Sequence, residues 1–140
     1  MSQAMTEEVK AFFQEPNFAH LAMLREDGSP QAAPVWVDLE GDRIVIATQK
    51  EAPKIKATRR DPRVALSVVR QSNPYSEAYV RGRVVEFRTE GAGERMNAIS
   101  RKYIGEDFPF GVTNTVLMLI EVDAAKTRNI PFKEPAHHRS

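Results

Sequence analysis

The sequence predicts a mainly β fold, a small antiparallel barrel of six strands with flanking helices, and three observations predict it. From Phe18 onward, short apolar and β-branched runs alternate with turns rich in Gly, Pro, Asp and Asn. Six such runs in 140 residues leave no room for the helical crossovers of a doubly wound parallel sheet. Gly82 stands mid-strand between Arg81 and Arg83, where barrel closure calls for a bend or a close backbone approach.

The elements follow in order. Thr6, Glu7 and Glu8 suit a helix start, where carboxylates meet the positive end of the dipole; Val9, Phe12 and Phe13 give that helix an apolar stripe, and Pro16 closes it. "FAHLAML", the turn "REDGSP", "QAAPVWVDL", the turn "EGD" and "RIVIAT" read as a three-strand meander. Pro53 fits the first position of a short helix running to Arg60. "VALSVV" and "AYVRGRVVEF" are two further strands, separated by a loop holding Asn73, Pro74 and Tyr75. "GAGERMNAISRKYIG" predicts a helix with Met96, Ile99 and Tyr103 on one face, and "VLMLIEVDAAKTRNI" is the last strand.

This length fits one domain over residues 1–140, without internal repeats. Lys and Arg total 20 against 19 acids, a balance that gives no overall attraction to nucleic acid or an anionic membrane. The absence of cysteine removes disulfides, thiolate metal sites and cysteine nucleophiles, and fits a cytoplasmic protein. No run reaches membrane-spanning length, and the start is acidic where a signal peptide is basic and apolar.

One stretch breaks the charge balance. "KEAPKIKATRRDPR" gathers Lys50, Lys54, Lys56, Arg59, Arg60 and Arg63 against only Glu51 and Asp61. Lys54 and Lys56 fall in the first turn of a helix, where cations are disfavoured by a few tenths of a kcal/mol or more. A bound phosphate reverses that cost, because N–H and ammonium groups then converge on one anion. The alternative is an ordinary solvated surface, and spacing alone does not choose. Trp36 is similarly open: either it packs in the core or on a dimer face, or it walls a flat ring pocket beside Pro34, which cannot donate to a ladder. His20 stands alone on a strand, and His137 and His138 form a terminal pair able to touch a metal only weakly. No nucleophile elbow, Gly-rich phosphate loop, zinc helix or dinucleotide fingerprint occurs, so an enzyme here would need a cofactor's chemistry.

The succession "NFAHLAMLREDGSPQAAPVWVDLEGDRIVIAT", "KIKATRRDPRVALSVV", "NPYSEAYVRGRVVEF" and "ISRKYIGEDFPF" resembles the pyridoxamine 5′-phosphate oxidase-like split-barrel superfamily. Within it, the chain most resembles the class of deazaflavin (coenzyme F420)-dependent oxidoreductases. The resemblance spans roughly residues 12 to 125. It implies a six-stranded split barrel forming a homodimer, with the cofactor, coenzyme F420 or alternatively FMN, held at the subunit interface. By position, Ala33, Pro34, Val35 and Trp36 would run beside the ring, and Ala47, Thr48 and Gln49 would approach the ribityl and phosphate portion. Lys54, aided by Lys56, Ala57 and Thr58, would bind the phosphate, with Pro74 and Tyr75 closing the pocket. Where members of that class carry a further basic residue ahead of the lysine and an asparagine in the helix, this chain has Ala52 and Ala57. Lys50 and Arg59 are candidates for a longer anionic tail.

The function so implied is an oxidoreductase passing hydride from reduced coenzyme F420 to a small organic substrate. The same fold would also serve an FMN-dependent enzyme, or a non-catalytic protein that binds or stores the cofactor. Tyr75 and Tyr79 are candidates either for packing or for proton supply, and no metal is implied. Binding of nucleic acid through residues 50–63 is disfavoured, because aromatics are not interleaved with the cations.

Overall fold

A computed structural model describes residues 4–131. Helix α1 (Glu7–Gln14) begins where the sequence places it: the Thr6 hydroxyl accepts the Val9 N–H at 3.2 Å. Strands β1 (Ala19–Leu24) and β2 (Pro30–Val35) form the first hairpin, with Ala19 opposite Val35 and Leu24 opposite Pro30. Then come β3 (Asp38–Glu40), β4 (Arg43–Gln49), α2 (Pro53–Arg60), β5 (Arg63–Arg70), β6 (Asn73–Arg88), α3 (Ala92–Ile104) and β7 (Thr115–Asn129). Gly91 and Gly105 bracket α3 in left-handed conformations that a side chain would disfavour.

The strands pair in the order β2-β1-β5-β6-β7-β4-β3, every pairing antiparallel. The two ends of that order, β2 and β3, are consecutive in the chain. Trp36 and Val37 therefore carry the backbone from one edge of the sheet to the other, which closes the barrel covalently and leaves it split in its hydrogen bonding.

The expected strand "QAAPVWVDL" is thus two strands, and the described residues hold seven where six were expected. The reason lies in tertiary hydrogen bonds. The Val37 N–H donates to the Tyr103 hydroxyl at 2.9 Å, and the Val37 carbonyl accepts from Lys102 Nζ at 2.6 Å. Both backbone groups that would continue a ladder are taken by α3 side chains.

A second correction concerns Asn73, Pro74 and Tyr75, which begin β6 rather than forming a loop. The β5–β6 register jumps from Val69 opposite Glu77 to Arg70 opposite Asn73. Pro74 falls in the skipped segment, where its missing N–H costs no rung.

The core has two layers. Phe12 and Phe13 of α1, Leu21, Ile44, Ile46, Met118 and Ile120 of the strands, and Ile55 and Ala57 of α2 share one buried cluster. Each fully buried aliphatic or Phe side chain contributes about 1.5–3 kcal/mol. Val45, Leu117 and Leu119 face the opposite side and pack with Ala92 and Ile99 of α3. This explains why Ile44, Val45 and Ile46 are buried in succession: both faces of β4 are covered. Gly82 does what its position suggests, since a Cβ there would lie 2.2 Å from the Glu121 carbonyl oxygen of β7. Among the described residues no helix is long and apolar enough to cross a membrane.

Candidate functional site

A cavity of about 350 Å³ opens where the β2–β3 crossover, the end of β4, the start of α2 and the loop after α3 converge. Its lining is Phe18, Pro34, Val35, Trp36, Ile46, Ala47, Thr48, Gln49, Lys54, Met96 and Phe108. That volume lies within the roughly 300–1,000 Å³ range of small-molecule sites. This cavity, the slot, is lined mostly by apolar and aromatic side chains, with a single cation among the described residues.

The aromatic wall is built as a stack. Trp36 lies on Tyr103 with ring centroids 5.0 Å apart and planes 12° from parallel. Phe108 meets Trp36 edge-on at 6.4 Å, and Phe110 meets Phe108 at 5.6 Å. The chain around Phe108 is pinned to α3: its N–H donates to Asn97 Oδ1 at 2.8 Å, and the Ser100 hydroxyl donates to the Glu106 carbonyl at 2.6 Å. A Cβ on Gly93 would come within 2.9 Å of Val112, so that loop sits directly on the helix. Phe18 and Phe110, 51% and 84% exposed, leave the surroundings of the slot apolar.

Lys54 stands in the first turn of α2, a helix with no acidic residue in that turn and no side-chain cap on Ala52. Burial pushes its ammonium below the ordinary lysine value, and no carboxylate among the described residues pairs with it. A half-buried cation without a counter-ion, beside the N-terminus of a helix, is an electrostatic debt that an anion would cancel.

The other cations of the stretch are engaged elsewhere or face water. Arg59 lies over the Phe87 ring at 4.2 Å. Arg63 makes two bonds to Asp61, at 3.0 and 2.7 Å, which hold the Asp61 carboxyl down at about 2. Lys50, Lys56 and Arg60 are exposed. The two readings of the stretch therefore divide by residue: most of it is solvated surface, and Lys54 alone lines the slot.

A family model described as pyridoxamine 5′-phosphate oxidase matches residues 5–130. The chain belongs to the pyridoxamine 5′-phosphate oxidase family. Solved structures of like fold accompany that match. An F420 reductase is 25% identical with a TM-score of 0.76, over 84% of this chain and 94% of that one. A conserved hypothetical protein from Mycobacterium tuberculosis is 18% identical with a TM-score of 0.76, over 100% and 95% of the two chains. An FAD-binding protein from Mesorhizobium loti is 18% identical with a TM-score of 0.65, over 88% and 93%. No curated protein matches the chain.

In this pyridoxamine 5′-phosphate oxidase family member, the residues singled out from sequence separate cleanly. Pro34, Val35, Trp36, Ala47, Thr48, Gln49 and Lys54 come together around the slot. Ala33 packs against the barrel core, while Ala57 and Thr58 are buried in the second turn of α2. The Thr58 hydroxyl donates to the Lys54 carbonyl at 2.6 Å, so it serves its own helix. Pro74 and Tyr75 lie at the start of β6 and do not line the slot of their own chain. Tyr79 lies in a larger hollow of about 590 Å³ over the outer sheet face, its hydroxyl donating to Glu77 at 2.7 Å. His20 lines that same hollow.

His137 and His138 lie outside the described residues, and among the described ones no three His, Asp or Glu side chains are grouped to hold a metal ion. Sequence reasoning missed Phe18, Ile46, Met96 and Phe108. Phe108 had a weak signal, an aromatic between Asp and Pro in a polar connection; the others read only as core.

Proposed function

We propose that the protein is an oxidoreductase using reduced coenzyme F420 to transfer hydride to a small organic substrate. The observation that carries this reading is the slot itself: an aromatic-walled cavity with one half-buried ammonium, Lys54, in its lining and no carboxylate paired with it among the described residues. That donor set fits a planar ring bearing a phosphate tail. The F420 reductase of like fold supports the deazaflavin, and the FAD-binding protein keeps FMN as the second reading, since both cofactors carry a ribityl phosphate.

When bound, the cofactor supplies the hydride chemistry. The chain's residues bind, orient and shield. Pro34, Val35 and Trp36 flank the ring, with Ala33 supporting them from the core side. Ala47, Thr48 and Gln49 lie along the ribityl chain, and Lys54 neutralises the phosphate, with Lys56 and the helix around Ala57 and Thr58 adding to the local potential. Among the described residues no carboxylate or imidazole lines the slot; positioning is the protein's main contribution, with water as the proton source. The protein works as a homodimer with the cofactor at the subunit interface, where Pro74 and Tyr75 of the second copy close the slot. We assign the second copy to the outer face that holds Ala22, Ala32, Ala65 and Ala124 among the longer side chains of Tyr79, Arg81, Lys126 and Arg128.

The test is separate fluorescence titration of the purified protein with coenzyme F420 and with FMN, followed by reduction of the bound cofactor and addition of candidate acceptors. F420 binding with acceptor-dependent reoxidation is the expected result. Tight binding without any reoxidation would make it a carrier, and failure of both compounds to bind would end the reading.

A further inference from the structure

Tyr103 touches Trp36 and the crossover that carries it, yet it does not line the slot. Its ring carries Trp36 in a parallel stack at 5.0 Å. Its hydroxyl accepts the Val37 N–H at 2.9 Å and donates to the Asn17 carbonyl at 2.7 Å. Its neighbour Lys102 donates to the Val37 carbonyl at 2.6 Å and to the Phe13 carbonyl at 2.9 Å, with Asp38 3.5 Å away. Two successive α3 residues thus satisfy both polar groups of the crossover residue that follows Trp36, and tie it to the chain just before β1. Burial pushes the Tyr103 hydroxyl up to about 12, so across the physiological range it keeps the proton that lets it donate and accept at once.

We propose that Tyr103 is a positioning residue: through its stack and its bridging hydroxyl, it holds the Trp36 indole in the plane that walls the slot. The role assigned to that wall rests on the ring-binding reading above; the placement of Trp36 does not. Without the hydroxyl, the Val37 N–H and the Asn17 carbonyl lose a common partner at the one point where the barrel closes without a ladder. The crossover then gains freedom, and the indole gains it too.

Trp36 is the only tryptophan in the chain, so its emission reports its own surroundings. Tyr103→Phe keeps the stack and removes the bridge; Lys102→Met removes the second tie. Thr6→Ala, which strips the cap at the other end of α1 from Phe13, controls for lost stability alone. In the ligand-free protein, Tyr103→Phe and Lys102→Met are expected to red-shift Trp36 emission and raise its acrylamide quenching, whereas Thr6→Ala leaves both unchanged. With FMN and coenzyme F420 as probes, Tyr103→Phe is expected to weaken whichever binds by about tenfold.

Parental emission and quenching in Tyr103→Phe would overturn the proposal, as would identical changes in Thr6→Ala. If the parent binds neither probe, the ring-binding reading fails, and the ligand-free emission still decides the role of Tyr103.

Discussion

Replacing Lys54 by Met separates a functional cation from a structural one by sign. The lysine stem is roughly matched by the methionine side chain, so the apolar stem in the slot lining is kept while the ammonium is removed. In the ligand-free protein that ammonium is half-buried, has no carboxylate partner among the described residues, and sits at the positive end of α2. Its removal relieves desolvation and dipole repulsion, so the melting temperature is expected to stay level or rise by a few degrees, about 1 kcal/mol corresponding to roughly 3–5 °C at this size. Binding moves the other way. A hydrogen bond to a charged group is worth about 1.5–3 kcal/mol, which at about 1.4 kcal/mol per tenfold predicts a loss of roughly 10- to 150-fold in affinity for a phosphate-bearing ring. Fluorescence titration with coenzyme F420 or FMN, beside a thermal melt, measures both. Unchanged affinity, or a lower melting temperature at constant affinity, would show that Lys54 serves packing and that the anion site is elsewhere.

Three further outcomes follow from the same geometry. Gly82→Ala drives a Cβ to within 2.2 Å of a backbone oxygen that cannot swing away, so a loss of about 3 kcal/mol and on the order of 10 °C in melting temperature is expected; an unchanged melt would refute the close β6–β7 approach. Phe108→Ala removes one wall of the slot and its edge contact to Trp36, with ring affinity expected to fall about 2- to 12-fold in a titration while the melt stays near the parent's. Lys54 also sets an alkaline dependence. Its folded value lies below the ordinary 10.5, so the unfolded chain holds more protons between the two, and ligand-free stability from this group rises with pH through that window. Affinity for an anionic ring falls over the same interval, and both slopes vanish in Lys54→Met.

The helix boundaries and most strands were legible because their signals are local. Thr6 caps its own helix, Pro53 starts one, and alternation in "FAHLAML" survives because one face of β1 meets the core. The break between β2 and β3 was not legible, because "PVWVD" keeps a strand's pattern straight through it. What ends the ladder there is a lysine and a tyrosine some 65 residues away in sequence, each with a stronger claim on Val37 than a neighbouring strand has. The start of β6 was misread for the converse reason: Asn73 and Pro74 carry turn chemistry, but the register skip in β5 lets proline stand in a strand. The slot shows the same divide. Lys54 announced itself because a cation in a helix's first turn is locally unfavourable, whereas Phe18 and Met96 carry no local anomaly and Phe108 only a weak one, and all three become walls only when α3 and the closing crossover meet. The polar ties that close the barrel are also the ones that set Trp36, so fold and site share one joint, and a change at Tyr103 or Lys102 should register in both.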